Sequence, residues 1–199
     1  KTFYMINILI TSASRKVSLV KSFKNALGEE GKVIVADSSP LSASFYFADK
    51  YYILPEDKSP KLLDEVIKIC KENKVKLVVP TRDEELIIFA KNKKIFEKIG
   101  AKVMVSPEKS IEICQDKLKF FEFCQKNGIG APKIYNLSEL KKNNLKFPLF
   151  LNGRVSKAAK NAFKVHNREE LDLFLKIVKN PIIQEYIDAK EYTIDLFTD

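Results

Sequence analysis

Glycine is scarce in this chain, with six residues in 199 and none ahead of Gly28. A strand-to-helix turn that cradles a dinucleotide uses the spacing G-x-G-x-x-G. A nicotinamide or flavin site at the first such turn is therefore not expected. Cysteine is scarce too. Cys70, Cys114 and Cys124 form no C-x-x-C pair, and the single histidine, His166, stands far from all three. A metal centre built on these residues is not expected. At apolar helical positions a thiol behaves as a small hydrophobe. An odd number of cysteines without a targeting segment fits a reducing cytoplasm. No apolar run reaches the length of a membrane span. The opening "KTFYMINILITSA" is no signal peptide, because its short apolar run continues as a strand and then a helix. Met5 reads as the native start, with residues 1–4 a remnant ahead of it. Internal repeats and low-complexity linkers are absent.

What is present is the balance of an ordinary globular protein, 45% hydrophobic and 31% charged, enough for a core. At 199 residues it predicts one large domain or two small ones. The formal charge of +9 raises nucleic-acid binding. The lysines are scattered along helix faces, however, and no helix-turn-helix or aromatic-basic interleaving appears. The charge reads as solvated helix surface, with a phosphate pocket drawing on some of it.

Short continuous apolar runs alternate with helical patterns over the first half. "INILITSA", "KVIVADSS", "YYILP", "VKLVVPT" and "AKVMVSP" read as strands. "SRKVSLVKSFKNAL", "PKLLDEVIKICKENK" and "RDEELIIFAKNKKIFEKIG" read as helices between them. Continuous apolar strands separated by helices predict a parallel sheet covered on both faces. Beyond Ser106, "SPEKSIEICQDKLKFFEFCQKNG" predicts one or two helices, stopped at Asn127-Gly128. "IGAPKIYNLSEL" reads as a loop, "FPLFL" and "AFKV" as strands, and "REELDLFLKIVKN" as a helix with Asn167 at its N-cap. "PIIQEY" and "EYTIDLF" close the chain as strands. This second half predicts a mostly antiparallel α+β unit.

Ligands of open α/β sheets sit at the carboxyl ends of the strands. Arg15 and Lys16 follow the first strand, and either meet an anion or are solvated. Asp37 ends the second strand, and Thr81 to Glu85 follow the fourth. These acids either orient a substrate or, with Thr81 or Asp83 as N-cap, settle a helix dipole. In "NPIIQEYIDAKEYTIDLFTD" an apolar pair precedes Gln184, Glu185, Tyr186 and Ile187, with Glu191 six positions after Glu185. An apolar slot with amide edges suits a purine, and a carboxylate suits a ribose.

Taken together, "ILITSASRKVSLVKSF", "DKLKFFEFCQKNGIGAPK" and "NPIIQEYIDAKEYTID" resemble the ATP-grasp superfamily, and within it the carbamoyl-phosphate-synthase-like group. The resemblance covers residues 5 to 199. It implies an α/β fold: a Rossmann-like pre-ATP-grasp domain with a parallel sheet over residues 1–106. A linker helix and the N-terminal lobe of an α+β ATP-grasp domain follow over 107–199. It implies Mg2+-ATP-dependent phosphorylation of a small carboxylate, then attack on the acylphosphate by an amine or another nucleophile. It places Lys117 on the nucleotide phosphates, Glu185 to Ile187 at the adenine hinge beside Gln184, and Glu191 on the ribose, with Asp195 a weaker candidate. No nucleic acid or membrane partner is implied.

Three departures from the family pattern stand out. Asn152 occupies the position of a Lys or Arg, and the following loop holds only Gly153, leaving Arg154, Lys157 or Lys160 as substitutes. Ala189 replaces a usual glycine after the hinge. The lobe expected to carry the Mg2+ ligands lies beyond Asp199. The expectation is therefore an N-terminal ligase fragment, inactive alone, with a catalytically degenerate nucleotide-binding or scaffold module as the alternative. A sheet cut in this way exposes strand edge and apolar surface, so self-association stays open.

Overall fold

The computed structural model describes residues 5–56, 59–141, 145–156 and 161–194. The chain divides into two compact units, Lys1–Glu112 and Ile113–Asp199.

In the first unit, β1 (Asn7–Thr11), β2 (Val33–Asp37), β3 (Lys50–Ile53), β4 (Val75–Pro80) and β5 (Lys102–Val103) form one sheet in the order β3-β2-β1-β4-β5. Every neighbouring pair is parallel. The helices are α1 (Val17–Leu27), α2 (Leu62–Glu72), α3 (Asp83–Lys91) and α4 (Lys93–Lys98), and α5 (Glu108–Gln115) spans the division between units. Strand side chains alternate between faces, so a sheet covered on both sides needs apolar residues at every position. Ile8, Ile10, Val33 and Val35 pack on one face with Val20 and Phe23 of α1. Leu9, Ile34 and Val78 pack on the other with Leu62 and Val66 of α2, Phe89 and Phe96. The stretch read as one helix after β4 breaks at Asn92, which ends α3 and precedes α4. Neither Thr81 nor Asp83 caps α3. Arg82 holds the N-cap position, and Thr81 Oγ1 donates instead to the carbonyls of Thr11 and Ser12, 2.8 Å each.

In the second unit, β6 (Ile134–Tyr135), β7 (Leu149–Gly153), β8 (Phe163–Val165) and β9 (Pro181–Glu185) form a sheet in the order β6-β9-β7-β8, antiparallel throughout. The helices are α6 (Lys117–Lys126), α7 (Leu137–Leu140) and α8 (Arg168–Ile177). Leu149, Leu151, Val165 and Ile183 point to one face and bury with Leu171 and Phe174 of α8. Phe163 stacks on Phe174 at 4.2 Å. Asn167 caps α8 by accepting from the Glu170 N–H, 2.9 Å. Gly128, at φ +67, follows the end of α6.

Two expectations are corrected here. "IGAPKIYNLSEL" is not simply loop, because it holds β6 and α7. A capping box starts α7: Asn136 accepts from the Glu139 N–H while the Glu139 carboxylate accepts from the Asn136 N–H. The strand expected in "EYTIDLF" does not form over residues 191–194, and the rest of it lies outside the described residues. No neighbouring strand is available there among the described residues, and alternation without a partner makes no ladder.

Candidate functional site

One cluster of polar side chains in the second unit lies where α6 begins and β7 ends. Asp116 separates α5 from α6 and caps the latter, accepting from the N–H groups of Leu118 (3.0 Å) and Lys119 (3.3 Å). The same carboxylate takes Arg154 across both oxygens, with Nε at 2.8 and 2.9 Å and Nη2 at 2.7 Å. A two-pronged pair of this kind is both strong and oriented. The Arg154 hydrogen bonds hold the Asp116 carboxyl below the usual carboxylate range, and Asp116 in turn raises the guanidinium.

Lys117 is the first residue of α6. Its N–H donates to the Arg154 carbonyl, 3.2 Å. Its Nζ donates to the carbonyl and Oγ of Ser156, 2.9 and 3.1 Å. Partial burial pulls the ammonium below its ordinary pKa, with Asp116 acting in the opposite direction. The Ser156 hydroxyl in turn faces Asn152 Oδ1 (2.7 Å) and the Gly153 carbonyl (3.0 Å). Asn152 thus orients Ser156, and Ser156 holds the Lys117 ammonium just after β7. Arg154, predicted as a phosphate contact, is engaged by Asp116. Lys157, Lys160 and Asp195 lie outside the described residues.

Gln184 lies in β9 between Phe150 of β7 and Ile134 of β6. Glu185 closes the strand by two hydrogen bonds with Lys133: its N–H donates to the Lys133 carbonyl and its Oε1 accepts from the Lys133 N–H, both 2.9 Å. Its carboxylate therefore binds main chain. Tyr186 carries the Lys164 ammonium 4.0 Å from its ring centroid, while Ile187 and Glu191 are exposed. Two residues here escaped sequence reasoning. Phe150 and Lys164 are cross-strand partners, and Phe150 also partners Gln184, so the three share the sheet face opposite the core. The alternation in "PLFLNG" is the signal that separates Phe150 and Asn152 from Leu149 and Leu151. Leu118, Phe121, Ile134, Ile182 and Arg154 belong to the wall of a cleft of about 1170 Å3 in the same unit.

At the carboxyl ends of the first sheet the acids brace loops. Glu85 is fully buried and accepts from Thr11 Oγ1 (2.7 Å) and from the Ser12 hydroxyl. Asp37 accepts from the N–H groups of Ser14 (2.7 Å) and Ser39 (2.9 Å). Lys16 Nζ donates to the Thr81 carbonyl at 2.8 Å, and Arg15 is exposed. Among the described residues no group of three or more His, Cys, Asp or Glu side chains could hold a metal ion. No described helix is long and apolar enough to cross a membrane.

The family profile of the PylC-like, N-terminal domain matches residues 8–104. The chain is 25% identical over 179 residues to the carbamoyl phosphate synthase large chain of Thermoplasma volcanium, covering 82% of this chain and 16% of that protein. It is 32% identical over 104 residues to the coenzyme γ-F420-2:α-L-glutamate ligase of Methanocaldococcus jannaschii, covering 48% of this chain and 35% of that protein. Its fold matches the N5-carboxyaminoimidazole synthetase of Staphylococcus aureus, solved with ADP, at a TM-score of 0.70 and 16% identity. That match covers 96% of this chain and 50% of the other. The chain therefore spans well under half of these curated relatives and half of that solved structure. Residues 8–104 thus match the PylC-like N-terminal domain, and the chain is homologous to carbamoyl phosphate synthase large chains and shares the fold of ATP-grasp enzymes.

Proposed function

We propose that this chain supplies the nucleotide-holding lobe of an ATP-dependent ligase that activates a small carboxylate for attack by an amine or another nucleophile. The observation that carries the reading is the Lys117 ammonium, which two Ser156 acceptors hold at the foot of the loop after β7. A cation placed there neutralises phosphate charge, and in phosphoryl transfer positioning and charge neutralisation do most of the work. Gln184 to Ile187 offer the adenine its edge, with Phe150 on the same face as Gln184, and Glu191 accepts from the ribose hydroxyls. ATP supplies the phosphoryl group that turns the carboxylate into an acylphosphate. The nucleophile then forms its bond to the acyl carbon as phosphate leaves. Mg2+ does not fit the described residues, among which no group of three or more His, Cys, Asp or Glu side chains could hold it. The three thiols, with no disulfide among them, suit a reducing cytoplasm.

The test is a nucleotide titration of this chain by calorimetry. ATP is expected to bind saturably, and Lys117→Ala to weaken it about tenfold, equivalent to about 1.4 kcal/mol. ADP release by the chain alone is not expected. A second reading rests on Asn152, whose amide orients Ser156 where a basic residue is usual: the lobe is then a catalytically degenerate scaffold. Absence of saturable binding would favour that scaffold over the ligase.

A further inference from the structure

Five lysines from separate parts of the sequence meet at the amino-terminal end of the first unit's sheet. Lys32 precedes β2, Lys50 opens β3, Lys71 lies in the last turn of α2, Lys74 precedes β4 and Lys76 lies within it. All five are exposed, and together they line an open cleft of about 940 Å3. Two carboxylates share the cleft, and one is already matched. Asp49 pairs with Lys24 at 2.6 Å and accepts from the Val33 N–H at 2.8 Å. Among the described residues Glu72 receives only a long 3.5 Å contact, from the Tyr52 hydroxyl.

Helix C-termini attract cations, which accounts for Lys71 at the end of α2. It does not account for Lys50 and Lys76, which stand on strands, or for Lys32 at the start of one. The floor beneath them is built. Asn73 Nδ2 donates to the Tyr52 hydroxyl and the Ile69 carbonyl, both 2.8 Å, and Asn73 Oδ1 accepts from Lys50 Nζ at 2.9 Å. Asn7 Nδ2 donates to the Asn73 carbonyl at 2.6 Å, joining β1 to the end of α2. From β3 to β4 the lysines span three strand spacings, about 14 Å. Lysine is a compact, strongly hydrated point charge without the planar fork of arginine, and it binds phosphate groups as such a charge. A row of like charges in one concavity is repulsive until an anion occupies it.

We propose that this cleft binds a short chain of phosphate groups, at a site separate from the one assigned to Lys117. Inorganic tripolyphosphate is the probe, titrated calorimetrically into the full chain carrying Lys117→Ala, so that failure of the ligase reading leaves the result untouched. Saturable binding is expected that weakens with added salt and falls at least tenfold in Lys74→Gln/Lys76→Gln. A Lys32→Gln/Lys50→Gln pair is expected to do the same, with unchanged circular dichroism guarding against misfolding. Absence of saturable binding, or binding indifferent to both pairs, would overturn the proposal. So would a single-stranded oligonucleotide that binds the cleft and resists competition by tripolyphosphate, since the occupant would then be a nucleic-acid backbone.

Discussion

At the scale of single residues, Asp116 carries two separable duties. It caps α6, and it anchors Arg154 through both oxygens. Asparagine is an equally good cap, so Asp116→Asn removes the ion pair alone, while Asp116→Ala removes the cap as well at a further cost of about 1 kcal/mol. The pH dependence follows from the Arg154 hydrogen bonds, which depress the folded pKa below the ordinary 3.8. A depressed carboxylate pKa contributes stability that is complete above the unfolded value and lost as pH falls through the folded one. The parent is therefore expected to exceed Asp116→Asn in urea stability at pH 7, and the gap is expected to close well below pH 4. A gap that stays constant down to pH 2 would show that the carboxylate's charge plays no part. The sequence already pointed to Lys117 and Arg154, but it assigned both to phosphate. What it could not display is that Arg154 would turn to Asp116, a choice made by the path of the chain between them.

At the scale of elements, the first unit was legible because its chemistry is redundant. A sheet covered on both faces demands apolar residues throughout, and five such runs separated by helical patterns leave little latitude. The second unit was legible only in its longer pieces. β6 and α7 are two and four residues long, too short for a periodicity to appear, and their signal is the Asn136–Glu139 capping box hidden in a loop-like stretch. The link from Asn152 through Ser156 to Lys117 was not legible either, because it depends on the chain folding back so that Ser156 meets Asn152 four residues before it. Element geometry also exposes a position that composition ignores. A Cβ on Gly31 would lie 2.0 Å from the Ile6 carbonyl oxygen, where the Ile6 N–H donates to Glu30 at 2.8 Å just ahead of β1. Backbone cannot move aside there without separating β1 from β2. Gly31→Ala is expected to destabilise by about 2–4 kcal/mol, the range of a severe core or backbone lesion. Gly28→Ala, at φ +53 with nothing within 4 Å, should cost about 1–2 kcal/mol from strain alone. Urea midpoints of the two variants check the ordering, and equal losses would contradict it.

At the scale of the whole molecule, each unit carries its own apolar core. Among the described residues the first has two buried clusters, one on each sheet face, whereas the second has a single cluster on one face of its sheet. Stability within a chain varies with such local burial, and separately cored units can open separately. The cysteines report on this without any added label. Cys70 belongs to the first unit and is 2% exposed, Cys124 belongs to the second and is 2% exposed, and Cys114 is exposed. Burial pushes the Cys70 thiol up to about 12, so at pH 8 it is protonated and inert until its surroundings open. In a urea series with brief iodoacetamide pulses at pH 8, Cys114 is expected to react without denaturant. Cys124 should follow, and Cys70 should come last, because the doubly covered sheet buries more apolar surface and yields later. Mass mapping of the labelled peptides gives each midpoint directly. Coincident midpoints for Cys124 and Cys70 would mean that the two units unfold as one, and the separation of cores would then carry no independent stability.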